Sequence, residues 1–493
     1  MNALLIYPEW PETYWSFKHA LPFEGKRSAY PPLGLLTIAP LLPSSWKKRL
    51  VDTNVRRLTD DDLKWADIAL LSGMLVHKQD LFAILGRCRA RGLRTVVGGP
   101  VTSSLEELRL YADHVVIGEA EELVSELVRD LEQGTAKPVY SAAAMPDLSK
   151  TPLPDLSLIN PKHYSSMAIQ FSRGCPFNCE FCDIIEIYGR KPRTKAPAQV
   201  IAELEQLHEY NWRGSVFLVD DNFIGNKKKV KELLPVIAEW NMRQQRPFTF
   251  FTEASVNLAD DGGLLQMMKD ACFIRVFLGI ETPVEASLKE AQKMQNTHRS
   301  LLDSVRHIQA YGMEVMAGFI VGFDNDPEDI FDRQVEFIQE SAIPLAMVGL
   351  LQALPGTQLY RRLMKEGRIL NEGDGNNTEC RLSFVPKMDP QRLIEGYQSI
   401  LKRIYAHDAY YDRARSFLAR YHPTHRARRK LSDYRAFVRS IIKQGLLDSA
   451  RSSYWKFVLD AATRYRHAFD TAITLAIMGY HFQKLTERVC EVE

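Results

Sequence analysis

Residues 171–185 read FSRGCPFNCEFCDII, and they bring Cys175, Cys179 and Cys182 within eight positions of one another. The remaining four cysteines are scattered along the chain, so the seven do not form the pattern of a disulfide framework. Three thiolates without a fourth cysteine nearby suit a cubane iron–sulfur cluster that leaves one iron open to another ligand. We therefore interpret the triad as the ligand set of a 4Fe–4S cluster.

A zinc site and a chance grouping of core cysteines both fit the triad less well. A structural zinc site needs four closed ligands, normally in two pairs, and neither His163 nor His208 lies at ligand spacing. Three coincidental core cysteines would not account for a loop that is polar and bracketed by glycine and proline.

The triad directly follows the first of six apolar runs that alternate with helical patterns between residues 164 and 369. These runs are SMAIQFS, SVFLVDD, FTFFTEAS, IRVFLGIE, EVMAGFIVG and LAMVGLLQALPG. Six such units within about 190 residues fit a partial (β/α)6 barrel better than an eightfold one. A barrel of this kind places its chemistry at the carboxyl ends of its strands, which is where the triad would lie.

The first 140 residues contain five further apolar runs with helical patterns between them: ALLIYP, KRLVDTN, DIALLSG, RTVVGGP and DHVVIGE. Apolar runs without alternation predict parallel strands that are buried on both faces. We expect an α/β, Rossmann-like domain at 1–140 that binds ligands at the carboxyl ends of its strands. Residues 141–163 are rich in proline and predict a linker, and residues 370–493 predict a helical domain.

The composition, with 45% hydrophobic and 25% charged residues, is that of an ordinary soluble globular protein. The net charge of +2 lacks the strong basic bias of nucleic-acid binders. The chain begins MNALLIYPEW, without the basic region of a signal peptide, and no apolar run approaches the ~20 residues of a membrane span. We expect a cytoplasmic protein without a nucleic-acid partner.

The spacing C-x3-C-x-Φ-C, with Phe181 as the aromatic residue before the last cysteine, resembles the signature of the radical S-adenosylmethionine (SAM) superfamily. The resemblance implies that the open iron binds SAM. It also implies that an electron from an external donor cleaves SAM to methionine and a 5′-deoxyadenosyl radical, which abstracts hydrogen from the substrate.

The same resemblance implies that the ends of the second to fifth barrel strands hold SAM. Carboxylates suit its ammonium group through charge-assisted hydrogen bonds. The matching positions are Asp220, Asp221 and Asn222 for the amino end, Glu253 and Glu281 for the sulfonium or ribose, and Gly318, Ile320 and Gly322 for the adenine. Taken singly, such a carboxylate often only caps a helix, and such a glycine often marks tight packing.

The first domain resembles the cobalamin-binding domain of the largest subclass of this superfamily. The resemblance is carried by YPPLGLLTIA at 30–39, VVGGP at 96–100 and VVIGEAEE at 115–122. It implies that a corrin ring or its nucleotide tail meets Leu33, Gly34, Ser72, Gly73, Gly98, Gly99, Pro100, Gly118 and Glu119. No D-x-H-x-x-G motif occurs, so the group below the cobalt stays open, and the alternative is a domain that has lost its cofactor.

The segment FSRGCPFNCEFCDIIEIYGRKPRTK, together with DDNFIGNKK, VGLLQALPGTQL and TAITLAIMGYHFQKL, resembles the cobalamin-type group that includes the hopanoid C-2 methylases. The resemblance implies methylation of an unactivated carbon with two molecules of SAM, on a lipid or a secondary metabolite. The alternatives are a radical cyclase or rearrangement enzyme of the same build, and a non-catalytic cobalamin or iron–sulfur sensor.

Two basic stretches allow two interpretations each. GRKPRTK at 189–195 could steer an anionic partner, but a solvated loop is the simpler interpretation. Residues 413–466 are dense in Arg, Lys and aromatic side chains, which suits a peripheral contact with the inner face of a membrane. A helical cap with solvated basic faces is the simpler interpretation of that region.

Overall fold

The computed structural model describes residues 1–142, 144–423 and 430–491. The first sheet has six parallel strands in the order β2-β1-β3-β4-β5-β6. They are β1 Asn2–Tyr7, β2 Lys47–Asp52, β3 Ile68–Ser72, β4 Arg94–Gly98, β5 His114–Ile117 and β6 Val139–Ser141. The order reverses direction at β1, which is the topology of a doubly-wound domain.

Both faces of this sheet are buried, as the unalternating apolar runs predicted. Successive residues of β1 enter opposite cores: Leu4 and Ile6 pack on one side, and Ala3 and Leu5 pack on the other. The covering helices are Leu21–Glu24, Leu33–Ile38, Asp60–Trp65, Lys78–Arg89, Val101–Ser104, Leu108–Tyr111 and Val124–Gln133.

The strand β6 is one that the sequence pattern did not predict. It has three residues, of which only Tyr140 is buried, and it pairs with β5 at the edge of the sheet. Pro138 precedes it, and a short edge strand beside a proline carries almost no hydrophobic signal. The proline-rich stretch therefore begins as a strand before it continues through three short 3-10 turns.

The second sheet confirms the six predicted barrel strands, and consecutive strands are neighbours throughout. They are β7 Met167–Ile169, β10 Ser215–Leu218, β11 Thr249–Ala254, β12 Phe273–Glu281, β13 Glu314–Val321 and β14 Leu345–Leu350, all parallel. A small antiparallel hairpin of β8 Ser172–Arg173 and β9 Arg193–Thr194 follows β7. The helices are Ile184–Ile187, Pro197–Glu209, Lys227–Met242, Gly262–Asp270, Glu285–Glu290, Leu301–Ala310, Ile330–Ser341 and Gln358–Lys365.

The C-terminal region is helical, as predicted. Its helices are Pro390–Tyr405, His407–Leu418, Leu431–Ser440, a π-helical continuation Ile441–Leu447, Arg451–Thr463 and Phe469–Glu491. Tyr14 joins the last helix to the N-terminal segment, because its ring stacks on Phe482 at 5.2 Å between centroids. Residues 424–429, within the basic stretch 413–466, lie outside the described residues. None of the helices described for this chain combines the length and the apolar character that crossing a bilayer requires.

Candidate active site

The cysteine triad lies on the loop between β8 and the helix Ile184–Ile187, at the carboxyl end of the first barrel strand. Gly174 opens this loop with φ +93, and a Cβ there would lie 2.8 Å from the carbonyl oxygen of Gly189. Only glycine fits that position. The amide of Cys175 donates to the Gly189 carbonyl at 3.2 Å, so the loop is fixed at its first ligand.

Polar groups from neighbouring barrel loops lie at the sulfur atoms. Asn222 Nδ2 lies 3.7 Å from Cys175 Sγ, and Gln295 Nε2 lies 3.5 Å from Cys179 Sγ. Such donors stabilise cluster-bound thiolates and tune their potential. Burial raises the pKa of Cys175 and of Cys182, and the positive charge of bound iron would favour their thiolate forms.

The donor set fits a cluster that is held by three cysteines. All three thiols are free, they share one loop, and uncharged N–H donors face two of the sulfurs. Within the described residues, no three His, Cys, Asp or Glu side chains gather around a common point as ligands of one metal ion.

Two carboxylates that follow β10 accept hydrogen bonds from residues at the start of the cysteine loop. Asp220 accepts hydrogen bonds from the amide of Phe171 at 3.2 Å and from the hydroxyl of Ser172 at 2.5 Å. Asp221 accepts from the amide of Gly174 at 2.8 Å. Burial raises the pKa of Asp220 to about 6 and that of Asp221 to about 7. Both side chains, predicted at the amino end of SAM, therefore already have partners inside the protein.

Glu253 differs from these two carboxylates because its side chain makes no hydrogen bond or ion pair with the described residues. It points to the same face of β11 as Phe251, and its neighbour across the strands is Phe277 of β12. Burial, followed by the charges of Asp221 and Asp220, raises its pKa to about 8. Of the four carboxylates predicted at SAM, it is the one without a partner among the described residues.

Glu281 ends β12 in the left-handed region, with φ +64. A residue other than glycine costs about 1–3 kcal/mol there, and such strain often marks a functional site. Its carboxylate pairs with Lys293 Nζ at 2.6 Å. A Cβ at Gly279 would lie 2.6 Å from Lys293 Nζ, so the pair occupies the space that this glycine leaves.

Lys293 is a site residue that sequence reasoning missed. Its side chain is 12% exposed, and Nζ lies 5.9 Å from the ring centroid of Phe181 in the cysteine loop. Burial disfavours its charge, but Glu281 and the thiol of Cys179 raise its pKa above the ordinary value. One lysine in a polar loop carries no pattern, so only the fold brings this cation to the cluster loop.

The glycines predicted beside the adenine have different surroundings. Gly318 pairs in register with Gly279, and a Cβ there would lie 3.0 Å from the Phe277 ring, so the missing side chain makes room for that ring. Ile320 and Phe181 both pack against the same small apolar cluster. Gly322 has φ +108, a backbone conformation that favours glycine, and it packs on Leu393 of the helix Pro390–Tyr405. The conformation of this turn is therefore sufficient to explain the glycine.

Five aromatic side chains form a wall inside the barrel, which we call the aromatic wall. Phe217 and Phe251 stack at 4.6 Å, and their register neighbour on the same face is Ala168. The N-terminal segment adds Trp15, which lies 5.2 Å from Phe277 and 6.2 Å from Phe217, and Tyr30, which lies 5.1 Å from Phe217. Sequence reasoning missed this wall because its members are far apart in the chain.

The residues predicted for cobalamin lie at the carboxyl edge of the first sheet. Their places are as follows: Leu33 and Gly34 begin the helix Leu33–Ile38, Ser72 ends β3 and Gly73 follows it, Gly98 ends β4 and Gly99 and Pro100 follow it, and Gly118 and Glu119 follow β5.

Three of these loops are formed by small residues that lie close together. A Cβ on Gly99, at φ +86, would lie 2.5 Å from Ser72 Oγ, and one on Gly34 would lie 3.9 Å from that oxygen. Gly118 has φ +85, and a Cβ there would meet no heavy atom within 4 Å. Gly99 therefore makes room for the Ser72 side chain, whereas the backbone at Gly118 is open to the approach of a large flat cofactor.

Glu119, predicted at the corrin, makes ion pairs with two arginines of the barrel. Its carboxylate oxygens pair with Arg193 and Arg173, both at 2.5 Å, and Glu121 pairs with Arg173 at 2.6 Å. Glu119 is buried, so the two arginines compensate its charge inside the protein. We call this network the arginine latch, because it joins the loop after β5 to the β8–β9 hairpin that carries the cysteine loop.

The interpretation of residues 189–195 as a solvated loop is wrong for the second half of that stretch. Arg193 belongs to the arginine latch, and Lys195 is buried in an ion pair with Glu203. The sequence showed the charges but not the carboxylates that distant segments bring to them.

Comparisons with known proteins agree with this architecture. Residues 169–338 match the family model of the Radical SAM superfamily, and residues 357–493 match one described as a domain of unknown function, DUF4070. An uncharacterized methyltransferase of Synechocystis sp. is 42% identical over 99% of this chain and 92% of its own length. The hopanoid C-2 methylase of Rhodopseudomonas palustris is 35% identical over 97% of this chain and 92% of its own length.

The solved structure of the cobalamin-dependent SAM radical enzyme OxsB has a TM-score of 0.63 to this chain at 15% identity. It covers 99% of this chain and 80% of its own, so the likeness of fold includes the first domain, the barrel and the helical region. The chain belongs to the radical SAM superfamily, in the family of methyltransferases that includes the hopanoid C-2 methylase of Rhodopseudomonas palustris.

Proposed function

We propose that this enzyme methylates an unactivated carbon of a lipid of hopanoid type, or of a similarly apolar secondary metabolite, with a 4Fe–4S cluster, SAM and cobalamin. The observation that carries the proposal is the nearly end-to-end similarity to a hopanoid C-2 methylase. A lipid substrate lies in a membrane, so the proposal includes work at the membrane periphery from the cytoplasmic side.

The chain's own residues would divide the work as follows. The cluster would be held by Cys175, Cys179 and Cys182. Glu253 would offer its carboxylate to the sulfonium of SAM. When bound, these groups supply a radical that abstracts hydrogen, and cobalamin supplies a carrier for the methyl group. The open backbone at Gly118 would admit the corrin at the edge of the first sheet.

The aromatic wall supports an apolar substrate. Phe217, Phe251 and Phe277 lie on the same barrel face as Glu253, so apolar surface and a carboxylate border one space. Aromatic side chains offer large apolar contact areas, and each buries 150–250 Å² in typical protein sites. A hydrocarbon skeleton would lie against this wall with its target carbon near the radical source.

The two alternatives receive less support. A radical cyclase of the same build would share the cysteine loop and the barrel, but the relatives from Synechocystis and Rhodopseudomonas, which match nearly the whole chain, are named a methyltransferase and a methylase. A non-catalytic sensor has no need for a free carboxylate and an aromatic wall at the barrel interior.

The test is turnover by anaerobically reconstituted protein with cobalamin, SAM, a one-electron reductant and a hopanoid-type hydrocarbon. We expect 5′-deoxyadenosine, S-adenosylhomocysteine and a methylated product. Cys179→Ala should abolish 5′-deoxyadenosine, whereas Cys490→Ala, which removes a free thiol in the last helix, should retain it.

Two outcomes would contradict the proposal. Formation of 5′-deoxyadenosine with an altered but unmethylated product would indicate a cyclase or rearrangement enzyme. Cobalamin binding without any cleavage of SAM would indicate a sensor.

A further inference from the structure

The helix Leu431–Ser440 and its π-helical continuation Ile441–Leu447 expose a row of large apolar side chains. The members, with their exposed fractions, are Leu431 67%, Tyr434 54%, Val438 53%, Ile442 45%, Leu446 58% and Leu447 76%. We call this row the apolar stripe. A surface helix of a globular protein normally turns polar residues outward, and contiguous exposed apolar patches mark interaction sites.

The stripe keeps to one side because of the change in helix type. Residues four positions apart are rotated slightly more than one full turn in an α-helix and slightly less than one full turn in a π-helix. The rotation that accumulates along Leu431–Ser440 is therefore reversed along Ile441–Leu447. Val438, Ile442 and Leu446 therefore stay aligned across the junction of the two helices.

The opposite side of this helix is fixed to the rest of the protein. Ser440 and Gln444 are buried, and Gln444 Nε2 donates a hydrogen bond to Ser440 Oγ at 2.9 Å. The Ser440 hydroxyl also forms a hydrogen bond with the Tyr454 hydroxyl at 3.0 Å. Trp455 Nε1 donates to the Gly445 carbonyl at 2.9 Å. The helix is thus already packed on its inner face, and the stripe is its outer face.

A basic row runs beside the stripe. Arg435, Arg439 and Lys443 follow Tyr434, Val438 and Ile442 by one residue each. None of the three forms an ion pair with a carboxylate among the described residues. Arg439 donates hydrogen bonds to the carbonyls of Pro22 and Phe23, and Lys443 Nζ lies 5.1 Å from the Phe23 ring centroid, so neither positive charge is neutralised. With Asp433 as the one acidic residue, 431–447 carries three positive charges and one negative, a net +2.

We propose that the apolar stripe and its basic row bind the surface of an anionic lipid membrane. Apolar side chains of such a helix enter the boundary between headgroups and acyl chains, and flanking Lys and Arg attract anionic headgroups. A second copy of the same surface would bring two basic rows together, which charge repulsion opposes. The inference rests on the proposed lipid substrate for its purpose, since the surface would hold the enzyme where that substrate lies.

The experiment is flotation of the full-length, cluster-loaded protein with vesicles of phosphatidylcholine alone or with added phosphatidylglycerol. We expect flotation with the anionic vesicles only, and a loss at high salt. The double variant Leu446→Glu/Leu447→Glu should lower vesicle affinity at least about tenfold, because two apolar contacts become charged. Arg435→Glu/Lys443→Glu should also lower it, while Leu110→Glu, at an equally exposed leucine of the first domain, should not.

Equal flotation of the wild type and the stripe variants would overturn the proposal. A doubled mass in light scattering that Leu446→Glu/Leu447→Glu abolishes would assign the stripe to a second copy of this chain instead. Formation of 5′-deoxyadenosine without vesicles, measured on the same preparations, tests the proposed function separately, because these variants leave the active site unchanged.

Discussion

At the scale of single residues, Lys293 places a positive charge between Glu281 and the cysteine loop. Lys293→Met should make the cluster harder to reduce, by on the order of tens of mV, because a buried positive charge that interacts with Cys179 and Cys182 is lost. Redox titration followed by electron paramagnetic resonance measures this potential.

The matched control for that change is Lys293→Arg, which keeps the charge and should keep the potential near the wild-type value. If the Met and Arg variants show the same potential, Lys293 acts on the cluster loop through packing alone. Binding of SAM, measured by calorimetry, separates a change in potential from a loss of the ligand.

Glu253 predicts a pH dependence of stability. Burial raises its pKa from 4.5 to about 8 in the folded protein, so the folded state holds a proton that the unfolded state releases between those values. Its contribution to stability is present below pH 4.5 and is lost as the pH rises towards 8. Glu253→Gln cannot ionise, so the cluster-free variant should gain at least about 2 °C in melting temperature relative to wild type between pH 5 and pH 8.

Thermal unfolding of both cluster-free proteins across this range checks the prediction. Melting curves that stay parallel at every pH would show that the carboxylate is ionised at little cost in the folded state.

The cysteine ligands could be predicted from the sequence because their spacing lies within one loop. Lys293 and Gln295 could not, since they reach the cysteine loop from a segment more than 100 positions away. The ion pairs of Glu119 could not be predicted either, because its arginines belong to the next domain.

At the scale of structural elements, the arginine latch joins the loop after β5 to the β8–β9 hairpin. Glu119→Gln leaves Arg193 without its buried carboxylate partner, and removal of one member of such a pair costs about 3–5 kcal/mol. The free energy of unfolding in denaturant should fall by roughly 3 kcal/mol, and cobalamin should bind more weakly, because the loop that carries Gly118 loses its anchor.

The matched control is Glu126→Gln, which removes a surface ion pair to Lys137 in the same domain. An exposed pair is worth at most about 1 kcal/mol, so this variant should unfold almost as the wild type does. Equal losses in the two variants would show that the latch is no stronger than an ordinary surface pair.

Elements with long apolar runs could be predicted, and those fixed by context could not. The apolar run FLGIE predicted β12. In contrast, β6 has one buried residue and β9 consists only of Arg193 and Thr194, so neither strand has an apolar run. The π-helical turn at Ile441–Leu447 depends on packing against Tyr454 and Trp455, which no local pattern reports.

At the scale of the whole molecule, the N-terminal segment completes the barrel interior. Trp15 belongs to the first domain in sequence, yet its ring stacks on Phe217 of β10 and lies against Phe277 of β12. The space beside Glu253 is therefore bordered by two parts of the chain that are 200 residues apart. Periodicity within a segment cannot predict such a contact, because it reports only which face of an element is apolar.

This arrangement predicts a selective effect of Trp15→Ala. The substitution removes one ring of the aromatic wall but no group that contacts the cysteine loop. We expect KM for a hopanoid-type hydrocarbon to rise about tenfold or more, which corresponds to roughly 1.4 kcal/mol and is well below the full value of a buried aromatic side chain. Affinity for SAM should be unchanged, and steady-state methylation with calorimetry on the same preparation gives both quantities.

Trp10→Ala is the matched control, because Trp10 lies in the same segment but packs on His77 of the first domain at 4.3 Å. It should leave KM for the hydrocarbon near the wild-type value. If both variants raise KM equally, the segment acts by its general stability. If neither does, the substrate lies elsewhere and the aromatic wall is only core. A rise confined to Trp15→Ala would mean that the first domain, besides its predicted cofactor, supplies part of the substrate's binding surface.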